Sequence, residues 1–236
     1  MSMAEFDFDR FKQDFMNGVS NVADSVSSAA KETTGDVKRF KYFNETGRDL
    51  FAGGFTTSHG GNISVSDGES IWISKTGAML GRISPGDVRK VFMSPTDLDA
   101  QASMELVVHR AMYQAWADRC RELDVAFGEK SIIHAHSKYT TYRSLVAEDV
   151  IPPDSEGKMT LGESVPVIAV ELGVASEEVA EKMAALVADG GFIGIVRGHG
   201  PFAMADTPEE AFRLISCLEY SSELLTLFDM TGKQPL

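Results

Sequence analysis

Apolar residues recur along this chain at two periods, three to four in some stretches and two in others. The switches between them lay out the elements. Phe11, Phe15, Val19, Val22, Val26 and Ala29 make a helical stripe that loosens through Ser27-Ser28 and Thr33-Thr34-Gly35, so residues 1–36 read as an N-terminal amphipathic extension and linker. Such a stripe suits a helix lying on a neighbouring subunit. From residue 37 onward the pattern is that of one domain, 37–236. Val37, Phe40, Phe43 and Leu50 predict a helix ended by Gly53-Gly54. Ile63 and Val65, then Ile71 and Ile73, alternate with polar residues around Asp67-Gly68, which predicts a hairpin. Val88 to Met93 reads as a strand, and Ser103 as the N-cap of a helix running to about Leu123.

The stretch Lys130-Ser131-Ile132-Ile133-His134-Ala135-His136-Ser137 begins as a buried strand and leads into a helix over 138–146. Residues 148–164 read as a long polar loop containing Pro152-Pro153, a length that in a compact domain points to function or disorder. Beyond it a strand (165–170), a helix opened by Ser176-Glu177-Glu178, an apolar strand (192–196) and a capped helix from Thr207 to about Met230 alternate cleanly.

Composition narrows the classes of function. Length, 236 residues, allows a substantial core, and the net charge of −13 argues against nucleic acid or an anionic membrane as the main partner. An anionic substrate must then be held by local groups. Cys120 and Cys217 are far apart without CxxC spacing and read as reduced core residues. No apolar run spans a bilayer, and Glu5, Asp7 and Asp9 stand where a signal peptide carries bases, so the expected location is the cytoplasm.

The candidate chemistry is concentrated in histidines. Residues two apart on a strand share a face, so His134 and His136 project together and can chelate one divalent ion; a third ligand decides between that and two half-buried polar residues. His199, in Arg197-Gly198-His199-Gly200, sits between glycines at the end of an apolar strand, a rigid arm for a loop histidine. The turn Ser58-His59-Gly60-Gly61-Asn62 and the cluster Ser74-Lys75-Thr76-Gly77 end neighbouring strands and could share an anionic ligand. Glu105 near a helix start is explained by the helix dipole alone, and His109, one turn later, reads as packing.

Taken in order, Gly61-Asn62-Ile63-Ser64, Ser74-Lys75-Thr76-Gly77, Ser103-Met104-Glu105, His134-Ala135-His136 and His199-Gly200 resemble the class II aldolase/adducin family over about residues 40–230. The resemblance implies a three-layer α/β/α fold with a central, largely antiparallel sheet, and a homotetramer with active sites at subunit boundaries. It implies zinc held by His134, His136 and His199, with Glu105 as acid/base. Substrate phosphate would be bound by Gly61, Asn62, Thr76, Gly77 and Ser103, with Lys75 close by. The implied activity is metal-dependent retro-aldol cleavage of a short sugar phosphate, the metal stabilising an enediolate. A 4-epimerase or dehydratase of the same family shares this site, and an adducin-like scaffold would not need the histidines. Where relatives carry a second serine this chain has Met104, and the loop at Asp154-Ser155-Glu156 lacks the family's assisting tyrosine. Asp154 and Lys158 are the candidate donors in its place.

Overall fold

The structure is a computed structural model that describes residues 37–233. The stripe over residues 1–36 lies outside the described residues. The chain divides after Phe40, and residues 37–40, the described part of the first unit, are helical. In the second unit the elements follow as helix α1 (residues 41–52), β1 (Asn62–Ser66), β2 (Ser70–Ser74), β3 (Val88–Phe92), α2 (Leu106–Glu122), β4 (Lys130–His134), α3 (Lys138–Val146), β5 (Asp149–Val150), α4 (Ser155–Leu161), β6 (Val165–Ile168), α5 (Glu177–Ala188), β7 (Ile193–Val196), β8 (Gly200–Ala205) and α6 (Pro208–Thr231).

The strands form one sheet in the order β3-β2-β1-β4-β8-β7-β6-β5. Only the β6–β7 pair is parallel; every other neighbour pair is antiparallel. Helices cover both faces. Val108 and Met112 of α2 and Val179 and Met183 of α5 pack with Ile71, Ile73, Ile132, Phe202 and Met204, which alternation turns to one side. The opposite set, including Ile133 and Ala203, faces α6, which lies along β8, β4 and β1 and carries α3 and α4 with it. This is the expected α/β architecture with a largely antiparallel sheet.

Double coverage changes what the alternating pattern of β1 means. Asn62, Ser64 and Ser66 occupy one face of β1, yet all five residues of the strand are buried. The polar face is covered by α2, and the Ser64 hydroxyl and the Asn62 Oδ1 meet its side chains there.

Several boundaries differ from the sequence expectation for local reasons. Helix α2 begins at Leu106, not Ser103, because the Thr76 hydroxyl accepts the Met104 N–H (2.9 Å) and donates to the Ala102 carbonyl (3.2 Å), tying the preceding residues to the β2 turn. Strand β4 stops at His134, so His136 lies just beyond it. Strand β6 ends at Ile168 rather than Val170. The segment 148–164 is not a bare loop: it contains β5 and α4, and Asp154 caps α4 by accepting the Gly157 N–H at 2.7 Å. Strand β8 was not expected, since Gly200-Pro201 argues against a strand interior. Pro201 is tolerated because its carbonyl alone is used, accepting the Ala135 N–H at 3.1 Å.

Candidate metal centre and active site

Three short pieces of backbone deliver the histidines. His134 ends β4, His136 follows it, and His199 sits in the three-residue turn between β7 and β8, where Gly198 takes φ of 70°. Helix α3 clamps that turn: the Ser144 hydroxyl accepts the Gly198 N–H at 2.9 Å, and Thr141 donates to the His199 carbonyl at 3.4 Å. The start of α3 is itself fixed by Glu219 of α6, whose carboxylate accepts the N–H groups of Tyr139 (2.9 Å) and Thr140 (2.8 Å). Gly200 is required by close approach. A Cβ there would lie 2.1 Å from the Ala135 carbonyl oxygen.

The result is a triangle of ring nitrogens. The Nε2 atoms of His134 and His136 are 3.0 Å apart, and each is 3.1 Å from Nε2 of His199. His134 donates from Nδ1 to the Pro201 carbonyl at 3.0 Å, which leaves its Nε2 lone pair facing the other two. Its ring stacks on Phe202 with centroids 4.0 Å apart. Burial holds all three imidazoles below their ordinary range, with the neighbouring rings adding to the effect on His134 and His136; His136 is brought down to about 4. The three are neutral at pH 7, the ligating form.

Three neutral rings meeting nitrogen to nitrogen cannot all satisfy one another: His134 uses its one hydrogen at Nδ1, and no placement of the hydrogens of His136 and His199 turns all three contacts into hydrogen bonds. A cation resolves the cluster. Ligands about 2.0–2.1 Å from one tetrahedral ion stand roughly 3.3 Å apart, close to the observed triangle. These are the described residues that could hold a metal ion.

Glu105 stands beside the triangle, its Oε1 4.0 Å from Nε2 of His199 and accepting the Ala175 N–H at 3.1 Å. Its Oε2 is buried without a partner. Burial pushes its carboxyl up to about 7, with the Ala175 N–H opposing the rise. A carboxylate poised at that level can both take and return a proton near neutral pH.

Gly61, Asn62, Thr76, Gly77 and Ser103 line the same cleft as Glu105 and the three histidines. Gly61 (φ 73°) brings backbone within reach of His134, where a Cβ would meet the His134 carbonyl at 2.6 Å. Gly77 also has positive φ, 74°, but opens onto free space. The Ser103 hydroxyl accepts the Glu105 N–H at 3.2 Å. Lys75 reaches the cleft wall but is paired with Asp87 at 2.7 Å, and Lys75 and Ser84 together hold the Asp87 carboxyl well below its usual range. Asp154 and Lys158 do not line this cleft within one chain.

Two contributors had no signal in the sequence. Ala175, at φ 49°, donates the hydrogen bond that orients Glu105, and its neighbour Val174 lines the cleft. Nothing in Leu172-Gly173-Val174-Ala175 marks it as more than a connector.

The chain is similar to known proteins over most of its length. The chain is 25% identical over 194 residues to L-fuculose phosphate aldolase of Methanocaldococcus jannaschii, covering 82% of this chain and 98% of that protein. It is 23% identical over 206 residues to methylthioribulose-1-phosphate dehydratase of Gallus gallus, covering 79% and 82% respectively. The crystal structure of L-fuculose-1-phosphate aldolase from Thermus thermophilus matches with a TM-score of 0.72 and 29% identity, over 84% of this chain and 97% of that one. The profile of the class II aldolase and adducin N-terminal domain matches residues 42–226, and the chain belongs to that family.

Proposed function

We propose that this protein is a metal-dependent aldolase that cleaves a short sugar phosphate such as L-fuculose-1-phosphate to dihydroxyacetone phosphate and an aldehyde. The observation that carries the reading is the convergence of three neutral Nε2 atoms at 3.0–3.1 Å beside a buried carboxylate with one unpartnered oxygen. His134, His136 and His199 are the ligands, with zinc the metal that best suits three imidazoles. When bound, a divalent ion supplies Lewis-acid polarisation worth several kcal/mol of charge stabilisation.

The chain's own groups do the rest. The substrate phosphate sits against Gly61, Asn62, Thr76, Gly77 and Ser103, where backbone N–H groups and hydroxyls bind it inside an acidic protein. Breaking the C3–C4 bond releases the C4 hydroxyl proton and leaves the electron pair on the ketone fragment, whose C3 must then be protonated. Glu105 moves that proton, a role supported by its hydrogen bond from Ala175 and by the burial that raises its carboxyl to about 7. Leu145 and Val146 of α3 are exposed, and Leu145 lies against Gly198 beside His199, apolar surface that supports assembly as a homotetramer with sites at subunit boundaries.

Metal analysis with matched assays on L-fuculose-1-phosphate, before and after chelation, tests the reading. About one zinc per chain and cleavage lost with the metal are expected; bound zinc without cleavage would sink the aldolase assignment. The likeness to a methylthioribulose-1-phosphate dehydratase supports one second reading, loss of water from a sugar phosphate at the same site. A product lighter by one water in place of two carbonyl fragments would select it.

A further inference from the structure

His109 is fully buried on α2, one turn after Glu105, and neither joins the histidine triangle nor touches the cleft. Its Nε2 lies 2.5 Å from Oδ1 of Asn62, and its Nδ1 lies 2.6 Å from the Ser64 hydroxyl. Ser64 in turn lies 2.8 Å from the Tyr113 hydroxyl, which is 3.3 Å from the Lys130 carbonyl. These polar groups form a continuous chain under the sheet, ending at the Asn62 amide, which lines the cleft.

We propose that His109 is a positioning residue for the phosphate pocket: as the Nε2–H tautomer it holds the Asn62 carboxamide by its oxygen and turns both amide N–H donors toward bound phosphate. The inference rests on the proposed role of the Gly61–Asn62 turn as a phosphate site.

Hydrogen counting supports it. Burial keeps the His109 ring neutral, drawing its pKa down to about 3, so the ring has one donor and one acceptor. The chain of bonds must then run in a single direction. In one direction Tyr113 donates to Ser64, Ser64 to Nδ1, and Nε2–H to Oδ1 of Asn62, using contacts of 2.8, 2.6 and 2.5 Å. In the other the amide turns over, every bond reverses, and Tyr113 falls back on the longer 3.3 Å contact with Lys130. The reversed chain would present an amide oxygen to the cleft and repel an anion. With the Lys75 ammonium already taken by Asp87, the pocket depends on neutral donors, so the direction of this chain decides whether it binds phosphate.

The test uses the zinc-loaded full chain. Histidine ring 15N NMR is expected to show hydrogen on Nε2 of His109; hydrogen on Nδ1 would overturn the inference. Titration with inorganic phosphate and steady-state kinetics follow on His109→Leu, which fills the space without a donor. About a 10-fold rise in the phosphate dissociation constant and in KM is expected, the cost of one lost hydrogen bond to a charged ligand. Zinc content and kcat should change less than about 2-fold on the same grounds, since no ligand or proton-transfer group is touched. His109→Gln, which keeps an N–H donor, should recover most of the affinity. Ser64→Ala offers a milder route if the leucine variant does not fold, with a smaller rise in the same direction. Unchanged phosphate affinity in these variants, or equal loss of zinc and kcat, would reduce His109 to packing. A wild-type protein that shows the Nε2–H tautomer but does not bind phosphate would instead remove the phosphate reading, and the inference with it.

Discussion

His109 under α2 and the partly buried histidine triangle at the strand ends are joined by the register that pairs Asn62 with His134. Around His109 both ring nitrogens are matched by partners within the chain, at 2.6 and 2.5 Å. At the strand ends, three Nε2 atoms face one another 3.0–3.1 Å apart, and the three contacts cannot all be hydrogen bonds at once. Burial lowers the basicity of both groups, so neutrality alone does not separate them. What separates them is satisfaction: a closed hydrogen-bond chain needs nothing more, whereas three ring nitrogens that cannot all bond to one another suit a cation. On the proposed reading, the first group shapes the cleft and the second holds a metal within it.

Removing one member of the triangle has the largest expected effect. His134→Ala is expected to abolish stoichiometric zinc binding and to cut activity by more than the roughly 10- to 100-fold that an outer partner costs. Elemental analysis with the assay decides it; full zinc content in the variant would mean that the triangle is not the metal site. Glu105→Gln should lower turnover by about 100- to 10,000-fold while leaving zinc in place, the loss of proton transfer alone. Zinc lost together with turnover would make Glu105 a ligand instead.

Backbone approach can be tested at two glycines that differ in surroundings. Gly200→Ala forces a Cβ to within 2.1 Å of the Ala135 carbonyl, between the two ligand-bearing segments, at φ of 150°. A loss of about 2–3 kcal/mol in stability and weaker zinc binding are expected, since packed backbone must move. Gly77→Ala meets nothing within 4 Å and bears only the strain of φ 74°, about 1 kcal/mol. Denaturant midpoints of the two variants with and without zinc give the contrast; equal effects would mean that the close approach at Gly200 relaxes freely.

The same distinction governs what could be read from residues alone. Period-two and period-three spacing located α2, α5, α6 and most strands because those elements bury one apolar face on a helix or sheet layer. The histidine set was legible because alternate residues of a strand and a glycine-flanked turn are local patterns. Strand β8 was missed because Gly200-Pro201 opens it, and only the pairing with β4 and β7 makes that possible. The start of α2 was misplaced because Thr76, distant in sequence, binds Met104. Ala175 left no trace, since its contribution is a backbone N–H. His109 was legible as buried but not as bonded: its partners lie 45 and 47 residues away, and only the sheet brings them to α2.

The smallest expected effect concerns that closed chain under acid. His109 titrates near its ordinary 6.5 when the chain is unfolded and near 3 when burial holds it neutral in the fold. A depressed folded pKa means that the unfolded state takes up protons first, so the contribution to stability is complete above about pH 6.5 and is lost as pH falls toward 3. One such group changes stability by at most about 1.4 kcal/mol per pH unit across that window. His109→Gln cannot titrate and should therefore lose less stability than the wild type between neutral and acidic pH, even if it begins lower. Urea midpoints measured from pH 7 to pH 4, both proteins stripped of metal so that the triad contributes equally, isolate the difference. Parallel curves would show that the His109 chain takes up its proton without unfolding, and that its hydrogen bonds, closed at neutral pH, have room to open.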